Sequence, residues 1–322
     1  MEVNGFRMDA AVDPSSMSFS PWPHRIAVVL ACATFPLLFI GGLVTSKGAG
    51  LAVPDWPTSF GYNMFLYPWS KMVGNIFYEH SHRLVASFVG LLTIALALIF
   101  WLRERRAWLR WLGFAALALV LAQGIIGGLR VVLLQHVLAI IHGATAHAFF
   151  ALTVCLAIFT SARWARNPVE ETVNDGGRLR RLCIVTTALI YLQIVFGALL
   201  RHTGERIDAH LALAVLVALH AILILMRVSK YFARSTSLMR PALILFALLL
   251  LQLALGGVSY LAKFTTALQL SIDAIVLLTT SHLAVGALML AASVTLTLRS
   301  YRLSVPLKVV RTREVFKEQV SA

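Results

Sequence analysis

The chain has 322 residues, 59% of them hydrophobic and 13% charged, and its mean hydropathy is +0.81. That composition excludes a soluble domain whose polar surface wraps one apolar core. A net charge of +14 would point to nucleic acid in a soluble protein, so its meaning here depends on where the basic residues fall.

A bilayer core of about 30 Å takes about 20 helical residues to cross. Apolar runs of that kind lie at about 26–46, 82–102, 112–132, 137–161, 183–201, 209–227, 241–261 and 273–298. They predict an all-α integral membrane protein of eight transmembrane helices. Residues 1–25 are polar, and the first run ends in Thr45-Ser46-Lys47-Gly48 without a small-residue cleavage pattern, so the first span is expected to be retained. The segment 47–80 then carries Pro54-Asp55-Trp56-Pro57, Gly61-Tyr62 and several aromatics. It reads either as a lid across the mouth of the first helices or as an aromatic belt in the headgroups. Cys32, Cys155 and Cys183 lie in or beside apolar runs without C-x-x-C spacing, so neither a disulfide framework nor a thiolate metal site is expected.

Of the 28 Lys and Arg, seven (Lys47, Lys71, Arg83, Arg130, Arg201, Arg206 and Lys263) fall on the side of the 47–80 segment, and the other 21 fall opposite. The positive-inside rule then makes both termini cytoplasmic. The charge reads as a topology signal in a multi-pass protein of the cell (inner) membrane, with lipid and not nucleic acid as its partner.

The 162–182 loop is the longest polar stretch between spans on the cytoplasmic side. It divides the chain into an N-terminal four-helix unit (1–161), a cytoplasmic linker (162–182), a C-terminal four-helix unit (183–298) and a basic tail (299–322). Gln123-x3-Gly127-Gly128 recurs as Gln252-x3-Gly256-Gly257, and Gly42-Leu43-Val44-Thr45-Ser46-Lys47-Gly48 resembles Ala198-Leu199-Leu200-Arg201-His202-Thr203-Gly204. An even number of spans per unit makes the repeat parallel, which predicts two pseudo-symmetric four-helix bundles. Glycine pairs also arise simply where membrane helices pack closely.

Ten histidines are many for spans with almost no acids. His82, at the head of the second span, matches His210 at the head of the sixth, in nearly the register of the glutamine-glycine pairs. His142 and His282 occupy corresponding places in the fourth and eighth. Each unit thus has one histidine on its second helix and one on its fourth, the donor set for a six-coordinate haem iron in a bundle core. Zinc would want three or four ligands close together. His220, roughly 15 Å deeper on the sixth span, competes with His210.

Glu79, His82 and Arg83 stand at i, i+3 and i+4 and share a face if the second helix has begun by residue 79. Arg83 can pair with Glu79 or with a haem propionate. A carboxylate beside an iron ligand suggests proton handling or stabilisation of a developing positive charge; a helix-lip salt bridge is the plainer alternative. His80 points away from His82 and reads as a supporting or propionate contact.

Together, the E-x-x-H-R at Glu79–Arg83, the loop Gly50-Leu51-Ala52-Val53-Pro54-Asp55-Trp56-Pro57, His142-Gly143 and Ser281-His282-Leu283-Ala284-Val285-Gly286 resemble the haem A synthase family of cytochrome oxidase assembly over roughly residues 26–298. The resemblance implies an oxidoreductase that converts the C8 methyl of haem O to the formyl of haem A by successive hydroxylations. His82 and His142 would flank the substrate haem, His210 and His282 a haem b, and Glu79 would be the catalytic carboxylate. It also implies haem O as a membrane-borne partner, with haem O synthase and an unidentified electron donor or acceptor. Val53 stands where many relatives place a cysteine, so thiol-dependent electron delivery is not expected. Leu211 follows His210 where Arg83 follows His82. A dihaem b-type electron carrier would use the same histidine pairs without Glu79, and a cofactor-free transporter built from repeats would use neither.

Overall fold

The computed structural model describes residues 21–165, 171–172 and 176–305; most of the two tails and of the linker lies outside them. In chain order come α1 (Trp22–Ser46), two single 3-10 turns (Met64–Leu66 and Trp69–Lys71), α2 (Asn75–Arg103), α3 (Ala107–Leu133), α4 (His136–Thr160) and the short α5 (Ala162–Ala165). Then follow α6 (Gly176–Thr203), α7 (Ile207–Tyr231), α8 (Thr236–Phe264) and α9 (Ile272–Leu303). Two-residue segments β1 (Glu171–Thr172) and β2 (Ser304–Val305) pair in parallel. All helices except α5 are long and apolar enough to cross a membrane, as the composition predicts.

Most helices overrun the apolar runs that predict them. A 25-residue helix is about 37 Å long and a 32-residue one about 48 Å, against a hydrocarbon core of about 30 Å. Hydropathy finds only the lipid-immersed part, while the backbone goes on bonding to itself past it, the cheapest way to satisfy its N–H and C=O groups. Two overruns matter. α2 starts at Asn75, so Glu79–Arg83 lie a full turn inside the helix. α6 starts at Gly176, which takes Arg178, Arg180 and Arg181 out of the expected linker and onto a helix.

α1 packs on α2 and α4, and α3 on α2 and α4; likewise α6 packs on α7 and α9, and α8 on α7 and α9. Each ring closes on its own apolar core. Leu30, Val89, Leu96, Phe100, Leu109 and Leu156 fill the first; Leu179, Ile224, Leu245, Leu249, Leu290 and Leu296 fill the second. A smaller seam of Leu38, Phe150 and Ala287 joins them where α1 and α4 meet α9. Polar contacts reinforce the seam at the loop end. Arg201 donates to the Gly42 carbonyl at 2.6 Å and to the Ser46 hydroxyl, and Lys47 pairs with Asp273.

The 47–80 segment has two sides. Val53, Tyr67 and Met72 are buried, whereas Leu66 and Trp69 stand 75% and 77% exposed. Its inner side covers the end of the first ring, and Trp69 stands on its outer side. Gly74, at φ +54°, lets the chain turn into α2 with a backbone that a side chain would strain.

Candidate functional site

The head of α2 holds the segment down. The Glu79 carboxylate is almost fully buried. One of its oxygens accepts from Arg83 Nη2 at 2.9 Å, and the other accepts from the Val53 backbone N–H at 2.9 Å. Arg83 in turn donates to the carbonyls of Asp55 (2.7 Å), Thr58 (3.0 Å) and Val53 (2.9 Å). The two terminal nitrogens of Arg83 thus hold Glu79 and three loop carbonyls. Burying such a pair is tolerable because both carboxylate oxygens and both terminal guanidinium nitrogens are hydrogen-bonded. His80 turns into the loop, its Nδ1 3.1 Å from the Ser59 hydroxyl and its ring 5.0 Å from Tyr67.

Asp55 organises the loop's far side. Burial pushes its carboxyl up, but bonds from the Gly61 N–H, the Thr58 hydroxyl and the Phe60 N–H outweigh it and hold the group at about 2.

Each of the four predicted ligand histidines rests on a glycine of the preceding span. A Cβ added at Gly41 would meet His82 Cε1 at 3.0 Å, at Gly127 His142 Cε1 at 3.0 Å, at Gly197 His210 Cε1 at 3.2 Å, and at Gly256 His282 Cε1 at 2.9 Å. The absent side chains are what let the rings approach the neighbouring backbone. Four residues before three of these glycines stands a glutamine: Gln123, Gln193 and Gln252; before the fourth stands Leu37. Gln193 Nε2 reaches His210 Nε2 at 3.3 Å, Gln252 Nε2 reaches His282 Nε2 at 3.3 Å, and Gln123 bonds Thr145 instead.

These sites fit a haem on observations internal to the fold. The Nδ1 atoms of His82, His142, His210 and His282 are buried without a partner, as are Gln193 Oε1 and Gln252 Oε1. Leaving such an atom unpaired costs about 1–3 kcal/mol. The rings of His210 and His282 stand with centroids 6.4 Å apart and planes at 67°, an imidazole pair that would hold a haem iron. Among the described residues no three His, Cys, Asp or Glu side chains converge, so the donor sets are pairs. His220 does not join them; its Nδ1 is tied to the Leu216 carbonyl at 2.8 Å and its ring lines a groove on the basic side.

The sequence reading missed the glycine seats and the third glutamine, though Gln193-x3-Gly197 has the spacing of the two pairs it used. It also missed Arg130, whose guanidinium occupies the space a side chain at Gly50 would need. Arg130 lies within electrostatic reach of Glu79, His82 and His142.

Residues 24–210 match the family model described as cytochrome oxidase assembly protein, COX15-CtaA. That stretch contains Glu79, His82, Arg83, His142 and His210. Among curated proteins, the chain is similar to Heme A synthase of Shouchella clausii (28% identity over 56% of this chain and 59% of that protein). It is likewise similar to Heme A synthase of Alkalihalophilus pseudofirmus (30%, over 55% and 59%) and of Lysinibacillus sphaericus (30%, over 56% and 58%). The chain thus spans somewhat over half the length of the curated relatives it matches. With more than half of its residues inside the family model, and with the E-x-x-H-R face built into α2 as a closed ion pair, this chain belongs to the COX15-CtaA family of cytochrome oxidase assembly proteins.

Proposed function

We propose that the chain is a haem A synthase, an oxidoreductase that converts the C8 methyl of haem O to the formyl of haem A. One observation carries the reading: His82 and His142, half-buried and each with a buried, unpartnered Nδ1, lie in the same ring of helices as the buried Glu79–Arg83 pair. The second ring has the histidines but Ile207 and Leu211 at the corresponding steps. The relatives' name supports the activity.

In this reading residues 1–161 and 183–298 are two pseudo-symmetric bundles. His82 and His142 hold haem O as substrate, and His210 and His282 hold a haem b. The bound iron supplies the redox chemistry. The protein's own part is placement. The glycine seats fix how far each imidazole reaches into its site, and the 47–80 segment, clamped by Arg83, keeps water from the substrate side. Glu79 presents a carboxylate at that mouth, able to handle a proton or to stabilise positive charge developing on the substrate. With Val53 in place of a loop cysteine, electrons arrive by a route without a loop thiol. Haem O reaches the site within the membrane from haem O synthase, and the chain lies in the cell membrane with both termini cytoplasmic.

The test is Glu79→Gln, which keeps the shape of the carboxylate but not its charge. Haem extracted from purified wild-type protein should comprise haem b together with haem O or A. The variant should retain haem while formyl product falls about 100-fold or more, in the range for losing a general acid–base group. Normal haem A in Glu79→Gln cells without a second gene copy would overturn the catalytic role. Unmodified haem b alone in the wild type would indicate an electron carrier, and a colourless preparation would indicate a transporter.

A further inference from the structure

We propose that the groove between α6 and α7, at the end of the molecule with the basic loops, binds one anionic phospholipid. It encloses about 540 Å³ and is lined by Arg178, Arg181, Leu182 and Val185 of α6 and by His220, Leu223, Met226, Arg227 and Lys230 of α7, a volume within the range of small-molecule sites. The lining is ordered by depth. From its start inward α6 presents Arg178 and Arg181, then Leu182 and Val185; from its end inward α7 presents Lys230 and Arg227, then Met226 and Leu223. Helical spacing brings Arg178, Arg181 and Val185 onto one face of α6, and Leu223, Arg227 and Lys230 onto one face of α7. Both faces thus change from cationic to apolar in the same direction, matching a phosphate head and its acyl chains.

Two further facts favour an anionic head. Arg178 and Arg181 stand in the first turns of α6, where the helix dipole disfavours cations, and among the described residues no carboxylate pairs with Arg178, Arg181 or Lys230. Arg180, between them, is instead taken up by the Ser300 and Tyr301 carbonyls. The apolar walls open sideways, with Val185 44%, Leu223 40% and Met226 62% exposed, so a lipid can enter from the bilayer. Basic pockets between transmembrane helices on the cytoplasmic side are where acidic headgroups are recognised.

Native mass spectrometry of the detergent-purified full chain tests this with phosphatidylglycerol and phosphatidylcholine as probes. The wild type should retain phosphatidylglycerol with about tenfold or greater preference, at about 1 kcal/mol per cation. Arg178→Gln/Arg181→Gln/Lys230→Gln should abolish that preference, and Arg105→Gln/Arg110→Gln, elsewhere on the same side, should keep it. Leu223→Trp, which fills the apolar wall and leaves the cations, should also weaken retention, so the proposal stands or falls even if the triple variant does not fold. Equal retention of the two lipids by the wild type would overturn it. Displacement of phosphatidylglycerol by millimolar inorganic phosphate would overturn it too, in favour of a soluble phosphate ligand.

Discussion

Glycine, more than histidine, decides whether the four imidazoles can sit where they do. At Gly256 an added Cβ would come within 2.9 Å of His282, while at the adjacent Gly257 it would meet nothing within 4 Å. Overpacking of this kind costs about 1–3 kcal/mol. Gly256→Ala should therefore push His282 aside and lower the haem-to-protein ratio of the purified chain about twofold or more, at 1.4 kcal/mol per factor of ten in binding, whereas Gly257→Ala should leave it unchanged. The histidines could be picked out from their spacing, but their seats could not. A glycine in a membrane helix means close approach to something, and only the packed neighbour says to what.

At the scale of elements, α2 and the 47–80 segment form one unit joined through Arg83. Arg83→Gln strips the cation from the buried Glu79 and should destabilise the unit by about 3–5 kcal/mol. Limited proteolysis of the intact protein should then cut between residues 48 and 73, where the wild type resists. Asp55 sets the pH limit of the same segment. Its carboxyl is held at about 2, below the ordinary value of about 3.9. The stabilisation it gives is thus complete above the ordinary value and is lost as pH falls through the folded one. The hydrogen-exchange protection of residues 58–62, corrected for the intrinsic pH dependence, should stay constant from neutral pH down to about 4 and fall progressively between about 4 and 2, while Asp55→Asn should have low protection at every pH. Glu79, His82 and Arg83 could be assigned to one helical face from their i, i+3, i+4 spacing alone. That Arg83 would bind three loop carbonyls, and that Val53 would hold Glu79, could not, because those contacts join residues 25 to 30 positions apart.

At the scale of the molecule, two apolar cores share a seam whose loop-end polar contacts centre on Arg201. Arg201→Gln removes the guanidinium that ties α6 to Gly42 and Ser46 of α1, and leaves those groups short of a charged donor worth about 1.5–3 kcal/mol. Its thermal midpoint in detergent should fall by a few degrees, with the eight spans intact by circular dichroism. Orientation is tested separately. Cysteines placed at Arg105 and Arg234 should be shielded from an impermeant thiol reagent in intact cells, and one placed at Ser70 should react; the reverse pattern would refute the cytoplasmic assignment of the basic loops.

Eight spans and their order follow from the sequence by itself, because hydropathy is a sum over local stretches and the bilayer reads it that way. So does the family likeness, carried by short motifs such as Glu79–Arg83 and Pro54-Asp55-Trp56-Pro57. Which histidine of α7 lies beside His282, and which loop carbonyls Arg83 binds, were decided only by tertiary structure. A helix can rotate about its axis without changing its hydropathy, and packing against its neighbours alone sets that rotation. His210 therefore meets His282, while His220, no less plausible from composition, lies in the groove beside the basic loops.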